Sequence, residues 1–126
     1  MYDALLQLLQ ASPVVTNPQI TDLKTYGRNA FRVKMRATVT PTLTFQVWLN
    51  HNPHHTRYAY QLFGHDGTLL RWDNAPHYPH LRTNFPHHFH DDQGRIVPSG
   101  LQGDPLRDLP VVLAEIERYL ATLPGQ

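Results

Sequence analysis

Apolar and polar residues alternate through the middle of the chain. In "FRVKMRATV", from residue 31, every second side chain is apolar, and the segments "LTFQVWLN", "TRYAYQLF" and "TLLRWD" follow with strand-like patterns. The letters "GHDG" between the last two segments are a hairpin turn signal. Strands that follow one another through short connections favour antiparallel pairing. The pattern therefore predicts an antiparallel β-meander.

Helical periodicity marks the two ends. "YDALLQLLQA" places leucines near one face of a short helix, and a leucine-rich stripe recurs at helical spacing after residue 108. The second helix has two equally good starts: Asp104 followed by Pro105, or Asp108 shortly before Pro110. "ITDLKTYG" adds a strand that ends in a turn, and "GRIVPSG" a short edge strand. We predict one α+β domain over residues 1–126, with about four to six strands and both terminal helices packed on one face.

The face of this sheet that the helices leave open is expected to carry polar side chains. Its predicted members are Arg32, Lys34, Arg36, Gln46, Trp48, Arg57, Gln61, Arg71 and Asp73. The simpler interpretation is a solvated strand face. The more specific interpretation is a cationic platform that binds phosphates, on which Trp48 stacks against a base.

Composition narrows the classes of protein. Lys and Arg number 11 against 10 Asp and Glu, so the net charge is +1 with neutral histidines, which excludes a generally basic nucleic-acid binder. The absence of cysteine excludes disulfides and thiolate metal sites. The start "MYDALLQLLQ" has no basic region and apolar runs are short, so we expect a cytoplasmic protein without a signal peptide or membrane span.

Five of the nine histidines lie in "RWDNAPHYPHLRTNFPHHFH", residues 71–90, where three prolines predict a loop without a central strand. One use is a metal site, because imidazole binds zinc or nickel and aspartates lie nearby. However, no HExxH motif occurs, so we expect no required metal and only incidental nickel binding. A second use is structural, since His can satisfy backbone groups of a Pro-rich loop. Five histidines are more than such a structural role requires.

General acid–base catalysis is the third use, and the segment favours it. In RNA the 2′-hydroxyl attacks the adjacent phosphorus, so cleavage needs neither a metal nor a protein nucleophile. Two imidazoles that titrate near neutrality can accept that proton and protonate the leaving 5′-oxygen. Arg71 or Arg82 can neutralise the charge that develops on the phosphorane. The sequence does not support nucleophilic catalysis by the protein, because it has no cysteine, no GxSxG motif and no Gly-rich phosphate loop.

Residues 58–90, "YAYQLFGHDGTLLRWDNAPHYPHLRTNFPHHFH", resemble the TumE-type toxins of prokaryotic toxin–antitoxin pairs. The shared pattern is Tyr-x-Tyr, a turn, Arg-aromatic-Asp-Asn-Ala-Pro-His, and then Phe-Pro-His-His-x-His. "VPSG" before a leucine-rich helix adds to it. The resemblance implies a small α+β ribonuclease. By motif position it implies roles for Arg71, Asp73, Asn74, His77, His87, His88 and His90.

The sequence departs from this pattern at two positions. Tyr78 stands where a second His is usual, which leaves a phenol for any acid–base role there, and Phe89 stands where Lys is common, which removes a cation. The fold also resembles CRISPR-associated ring nucleases, which degrade cyclic oligoadenylate messengers. The two groups share their chemistry and differ in substrate.

We therefore predict a metal-independent ribonuclease of prokaryotic defence that needs no cofactor and leaves 2′,3′-cyclic phosphates. The acid–base pair is His77 with one of His87, His88 or His90. Arg71 stabilises the phosphorane, and Asp73 orients an imidazole or Arg71. The expected substrate-binding residues are Trp48, Tyr58, Asn74, Tyr78, Arg32, Lys34 and Arg36, although Asn74 also suits a role in holding the loop.

The sequence leaves two candidate substrates. Low net charge favours a compact cyclic oligoadenylate, which a homodimer can present with two equivalent loops, over structured RNA. The alternative is a toxin that cuts single-stranded cellular RNA and is neutralised by an antitoxin. A protein of another class also fits: a nucleotide- or partner-binding module with a structural or metal-binding His loop.

Overall fold

One antiparallel sheet carries the fold, and its strands follow the order of the chain. The computed structural model describes residues 1–124. Within them the elements are α1 (Tyr2–Ala11), β1 (Thr16–Thr25), β2 (Phe31–Thr40), β3 (Leu43–Asn52), β4 (His55–Gly64), β5 (Gly67–Asp73), β6 (His88–His90), β7 (Ile96–Pro98) and α2 (Pro105–Ala121). Each strand pairs antiparallel with the next. The predicted α+β meander with terminal helices is confirmed.

The core lies on one side of this sheet. Every second residue of β2, β3 and β4 is buried there, and the two helices cover it with Leu5, Leu9, Leu109, Val112, Leu113 and Ile116. Successive strand side chains point to opposite faces, so the intervening polar residues occupy the other side. Each of these buried apolar side chains contributes about 1.5–3 kcal/mol through removal from water. The core therefore fixes which face is left for chemistry.

Helix α2 starts at the first of its two predicted positions. Asp104 is the N-cap, its side chain accepts a hydrogen bond from the Leu106 amide, and Pro105 follows. Asp108, the other candidate, lies buried in the first turn. Its carboxylate accepts hydrogen bonds from the amides of Gln102 and Gly103, at 2.8–3.2 Å. Asp108 thereby ties the loop before α2 to the helix.

The predicted number of strands is too low, because residues 1–124 form seven. The additional strand is β6, which lies inside the sheet between β5 and β7, so the expectation of no central strand in the His/Pro segment is wrong for its last residues. The prolines end at Pro86, which leaves the N–H groups of β6 free to pair. Phe89 alternates with two histidines and packs on Trp72, with 4.9 Å between ring centroids.

The remaining predicted strands are present, but they begin or end at other residues than predicted. "GRIVPSG" contains β7, at the edge of the sheet. Strand β1 begins at Thr16, before the predicted Ile20, and includes Pro18. An edge strand tolerates proline because one side of it makes no ladder. No helix within residues 1–124 has the length and apolar character that crossing a membrane requires.

Candidate active site on the open face of the sheet

Two adjacent strands bring four of the predicted catalytic residues together. Asp73 of β5 pairs with His88 of β6, and Arg71 pairs with His90. Their side chains lie on the face opposite the helices, because the intervening Trp72 is buried in the core. We call these four residues the Asp73 cluster. Neighbouring strands of one sheet fix its geometry.

Asp73 is the centre of this cluster and is buried, with 4% of its surface exposed. Its Oδ2 accepts a hydrogen bond from Arg71 Nε at 2.7 Å, and its Oδ1 accepts one from the Ala75 amide at 2.9 Å. Burial alone would raise the pKa of Asp73. The hydrogen bonds from Arg71 and Ala75 and the nearby positive charges outweigh burial, so the pKa lies below its ordinary value. The carboxylate is therefore ionised at neutral pH.

His88 is the buried imidazole of the cluster, with a side chain only 2% exposed. Its Nδ1 lies 2.9 Å from the Pro86 carbonyl oxygen. A carbonyl only accepts, so Nδ1 is the donor and carries a proton. Its Nε2 therefore faces Asp73, 3.0 Å from Oδ1. His88 has almost no surface with which to meet a substrate and acts on the site through Asp73.

His90 and Arg71 are the accessible members of the cluster, with side chains 28% and 39% exposed. His90 Nε2 lies 3.5 Å from Asp73 Oδ2. Burial lowers the pKa of His90, the neighbouring His88 and Arg71 side chains lower it further, and the negative charge of Asp73 opposes these effects. The net direction is downward from 6.5. His90 thus offers a neutral imidazole at physiological pH, as a general base requires.

Tyr78 joins the loop after β5 to this cluster. Its ring centroid lies 4.9 Å from that of His88 and 5.9 Å from that of His90, both edge-to-face. The exposed imidazoles of His77 and His80 lie 6.4 Å and 6.2 Å from the same ring. His77, the predicted partner in acid–base catalysis, is therefore brought to the same aromatic ring as His90.

Three other predicted site residues lie apart from the cluster. Tyr58 points into the core, where its hydroxyl hydrogen-bonds His87 Nδ1 at 2.8 Å and the two rings stack. Burial raises the pKa of Tyr58, so the phenol stays protonated. Burial also lowers the pKa of His87. Buried Asn74 accepts from the Tyr58 amide at 3.0 Å and donates to the Thr56 carbonyl at 2.7 Å, which holds the start of the loop on β4.

Trp48 and the predicted cations do share the open face. A cross-strand row runs from Lys34 through Trp48 and Ala59 to Asp73. Strands are about 4.8 Å apart, so the backbone at Trp48 is about 10 Å from that at Asp73. The small side chain of Ala59 lies between them.

Two of the three predicted cations have partners within the protein. Arg36 donates to Gln46 at 2.9 Å and lies 5.2 Å from the ring centre of Phe63. Arg32 lies 3.3 Å from Asp22. Asp22 compensates the charge of Arg32, whereas the neutral Gln46 and Phe63 orient Arg36 and leave its charge in place.

Sequence reasoning missed three contributions to the site. The Ala75 amide is one, although "DNAP" is a turn signal in which an Asp side chain accepts an amide hydrogen two residues on. The Pro86 carbonyl, which orients His88, has no signal in the sequence. The third is a cleft of about 400 Å³ at the start of β4, which four histidines help to line: His51, His54, His55 and His87.

An open antiparallel sheet with a buried carboxylate, two imidazoles and a guanidinium defines a small α+β protein with an exposed polar site. Comparison with known proteins identifies the family of this protein. The family model described as "Toxin TumE" matches residues 5–120, so the chain belongs to the TumE toxin family. No curated protein and no solved structure matches it significantly.

Proposed function

We propose that this chain is a metal-independent ribonuclease that cleaves 3′–5′ linkages by attack of the neighbouring 2′-hydroxyl. The observation that carries the proposal is the Asp73 cluster, which combines a guanidinium, a buried carboxylate and an accessible imidazole on the solvent-facing side of the sheet. The attacking group comes from the substrate, so the protein has only to move two protons and stabilise charge on phosphorus.

His90 is the proposed general base. Its lowered pKa keeps the imidazole neutral at neutral pH, so that one ring nitrogen has a free lone pair, and about a quarter of its side chain is open to solvent. It takes the proton of the 2′-hydroxyl while the oxygen bonds to phosphorus. The negative charge of Asp73, 3.5 Å from Nε2, then stabilises the imidazolium that forms.

Arg71 is the proposed group that stabilises the phosphorane. Its Nε is bound to Asp73 at 2.7 Å, which leaves the two terminal nitrogens for the phosphate oxygens. Asp73 therefore positions both Arg71 and His90. His88 positions Asp73 from the buried side, which makes it a structural support and not a group that touches the substrate.

His77 is the proposed general acid that protonates the leaving 5′-oxygen. It is exposed, and it directly precedes Tyr78, whose ring lies 5.9 Å from that of His90. Of the three candidates predicted as its partner, the buried position of His88 and the stacking of His87 on core-facing Tyr58 leave His90 as the most accessible. When the 5′-oxygen leaves with this proton, the product ends in a 2′,3′-cyclic phosphate.

Family membership favours cellular RNA as the substrate and an antitoxin as the partner. A toxin that degrades RNA must be held inactive in the cell that makes it. Single-stranded RNA suits the open face, where Trp48 offers a stacking surface and Lys34 a cation in the same row as Asp73.

A cyclic oligoadenylate is the second candidate substrate. It is favoured by the net charge of +1 and by the ion pair of Arg32 with Asp22, which leave little charge for a long polyanion. A homodimer could grip such a ring on both sides.

The experiment incubates the purified protein with labelled single-stranded RNA and, separately, with cyclic tetra-adenylate, both in EDTA. We expect turnover and a 2′,3′-cyclic phosphate end, with a loss of about 10²–10⁴ in kcat for His90→Ala and His77→Ala. His65→Ala, in the distant β4–β5 turn, is the matched control and should retain the wild-type rate. Stoichiometric binding without product would instead indicate a nucleotide-binding module.

The ratio of kcat/KM for the two substrates distinguishes a ring nuclease from a toxin that cleaves cellular RNA. A preference of tenfold or more for the ring, with shallow salt dependence, supports the ring nuclease. Equal or faster cleavage of cellular RNA, together with growth arrest on expression, supports the toxin. A product with a 3′-hydroxyl and a 5′-phosphate would refute the mechanism, because water and not the 2′-hydroxyl would have attacked.

A further inference from the structure

We propose that Asp73, His88 and His90 also form a binding site for one divalent transition-metal ion of the Zn²⁺ type, and that the bound ion inhibits the nuclease. The binding stands on the geometry alone. The inhibition rests on the function proposed above, in which His90 must keep its lone pair free.

The ligand atoms of the three residues lie close together. One nitrogen or oxygen from each of the three residues lies within 4.8 Å of the others, with His88 Nε2 3.0 Å from Asp73 Oδ1 and His90 Nε2 3.5 Å from Oδ2. Zinc binds such atoms at about 2.0–2.2 Å, which places tetrahedral ligands about 3.4 Å apart. The two nitrogen–oxygen distances are close to that spacing, and one ion would draw the three ligand atoms together from within the 4.8 Å limit.

In the described part of the chain, one buried ring nitrogen of His88 lacks a hydrogen-bond partner, which independently points to a ligand. Among residues 1–124, buried Nε2 has no hydrogen-bond partner, because its 3.0 Å approach to Asp73 lacks the direction of a hydrogen bond. Nδ1 already donates to the Pro86 carbonyl. A histidine that binds metal through one nitrogen typically donates its other N–H to such a group, which fixes the tautomer and the ring orientation.

The donor set selects the class of ion. Two imidazoles and one carboxylate suit zinc, nickel, copper or iron, whereas magnesium and calcium prefer oxygen ligands. The register holds two of the ligands directly opposite each other, since Asp73 pairs with His88. His90, at 28% exposure, gives the ion a path to solvent and leaves room for water at the remaining positions.

Arg71 works against this ion, which provides a distinctive test. Its guanidinium holds Asp73 Oδ2 at 2.7 Å, so a positive charge stands beside the proposed site. Removing that charge should tighten metal binding, while the same substitution should weaken catalysis. A residue that merely supports the fold would not shift the two properties in opposite directions.

The binding experiment titrates tag-free protein with Zn²⁺ against a chromophoric chelator. We expect one ion held at the site, at least tenfold weaker affinity in His90→Gln and in Asp73→Asn, and severalfold tighter affinity in Arg71→Gln. His54→Ala, which removes an imidazole from the separate histidine cleft, is the control and should leave this ion in place. Circular dichroism confirms that each variant is folded. If His90→Gln and Arg71→Gln bind Zn²⁺ as the wild type does, the site is refuted.

The activity experiment separates the two proposals. Stoichiometric Zn²⁺ should inhibit the wild-type enzyme, and EDTA should restore it. If the protein binds zinc but shows no nuclease activity when assayed in EDTA, the nuclease is refuted and the metal site is not. Activity with no zinc bound at these residues would refute the metal site alone. Activation by Zn²⁺ would overturn both the inhibition and the metal independence.

Discussion

Replacing Asp73 by Asn removes a negative charge from the centre of the cluster while keeping the shape of the side chain. In the wild-type protein, both carboxylate oxygens accept hydrogen bonds, from Arg71 at 2.7 Å and from the Ala75 amide at 2.9 Å. An amide nitrogen at either position sets one N–H against another. The variant therefore loses a charge-assisted hydrogen bond without opening a cavity, and its effect reports on the network itself.

The magnitude follows from the partners. A hydrogen bond to a charged group contributes about 1.5–3 kcal/mol, and removal of one partner of a fully buried ion pair costs about 3–5 kcal/mol. The Arg71 side chain is 39% exposed, so water screens its charge and the lower range applies. We expect the variant to lose about 2–3 kcal/mol of unfolding free energy at pH 7.

The dependence on pH has a definite sign. Because the pKa of folded Asp73 lies below its ordinary value of 3.8, its stabilisation is fully present above that value. It is lost as the pH falls through the folded pKa, since the wild-type carboxyl then becomes neutral. The difference between wild type and variant should therefore shrink at acidic pH.

Urea unfolding, followed through tryptophan fluorescence, measures this difference. A loss of about 2–3 kcal/mol moves the midpoint by about 1 M or more, given ordinary urea slopes. Asp66→Asn in the β4–β5 turn is the control, because Asn-Gly suits such a turn as well as Asp-Gly. A stability of Asp73→Asn within about 0.5 kcal/mol of this control at pH 7, or a difference that is unchanged at pH 3, would contradict the stabilising role of the carboxylate.

Three further predictions concern the proposed reaction and the fold. The dependence of kcat/KM on pH should be bell-shaped between about pH 5 and 8, with its acidic limb below 6.5 because burial lowers the pKa of His90; a limb that survives in His90→Ala belongs to another group. Tyr78→Phe keeps the ring contacts with the imidazoles and should change kcat by less than about tenfold; a loss of 10² or more would make the phenol the general acid in place of His77. Asp104→Ala removes the cap of α2 and should cost about 1 kcal/mol in a thermal or urea melt.

The alternation of apolar and polar residues was enough to predict the face on which the site lies. Arg71 and Asp73 flank Trp72, so any strand that buries the tryptophan in the core places the other two on the opposite face. The same alternation, applied to "HHFH", separates His88 and His90 from Phe89. That second pattern is only three residues long, and the prolines before it concealed the strand.

The sequence left His87, His88 and His90 as equal candidates, and only the fold distinguishes them. His87 precedes the strand and stacks on Tyr58 in the core, whereas His88 and His90 differ in how deeply they lie beside Asp73. Burial and hydrogen-bond partners depend on distant segments. No local pattern could have shown that the Pro86 carbonyl takes the Nδ1 proton of His88.

The register of β6 therefore controls the chemistry proposed for His90. A slip of one residue would turn both of its histidines into the core and Phe89 towards solvent, because strand side chains alternate. The stacking of Phe89 on Trp72 opposes such a slip. Pairing on both sides opposes it too, since β6 lies between β5 and β7.

Asn84 strengthens this register from outside the site. Its Nδ2 donates hydrogen bonds to the carbonyls of Ser99 and Leu101, at 2.7 Å and 2.8 Å, which joins the loop before β6 to the segment that follows β7. Its backbone has a positive φ of 57°, a conformation that Asn tolerates better than most residues. Asn84 thus supports the position of His90 beside Asp73 from six residues earlier in the chain, although it takes no part in the proposed reaction.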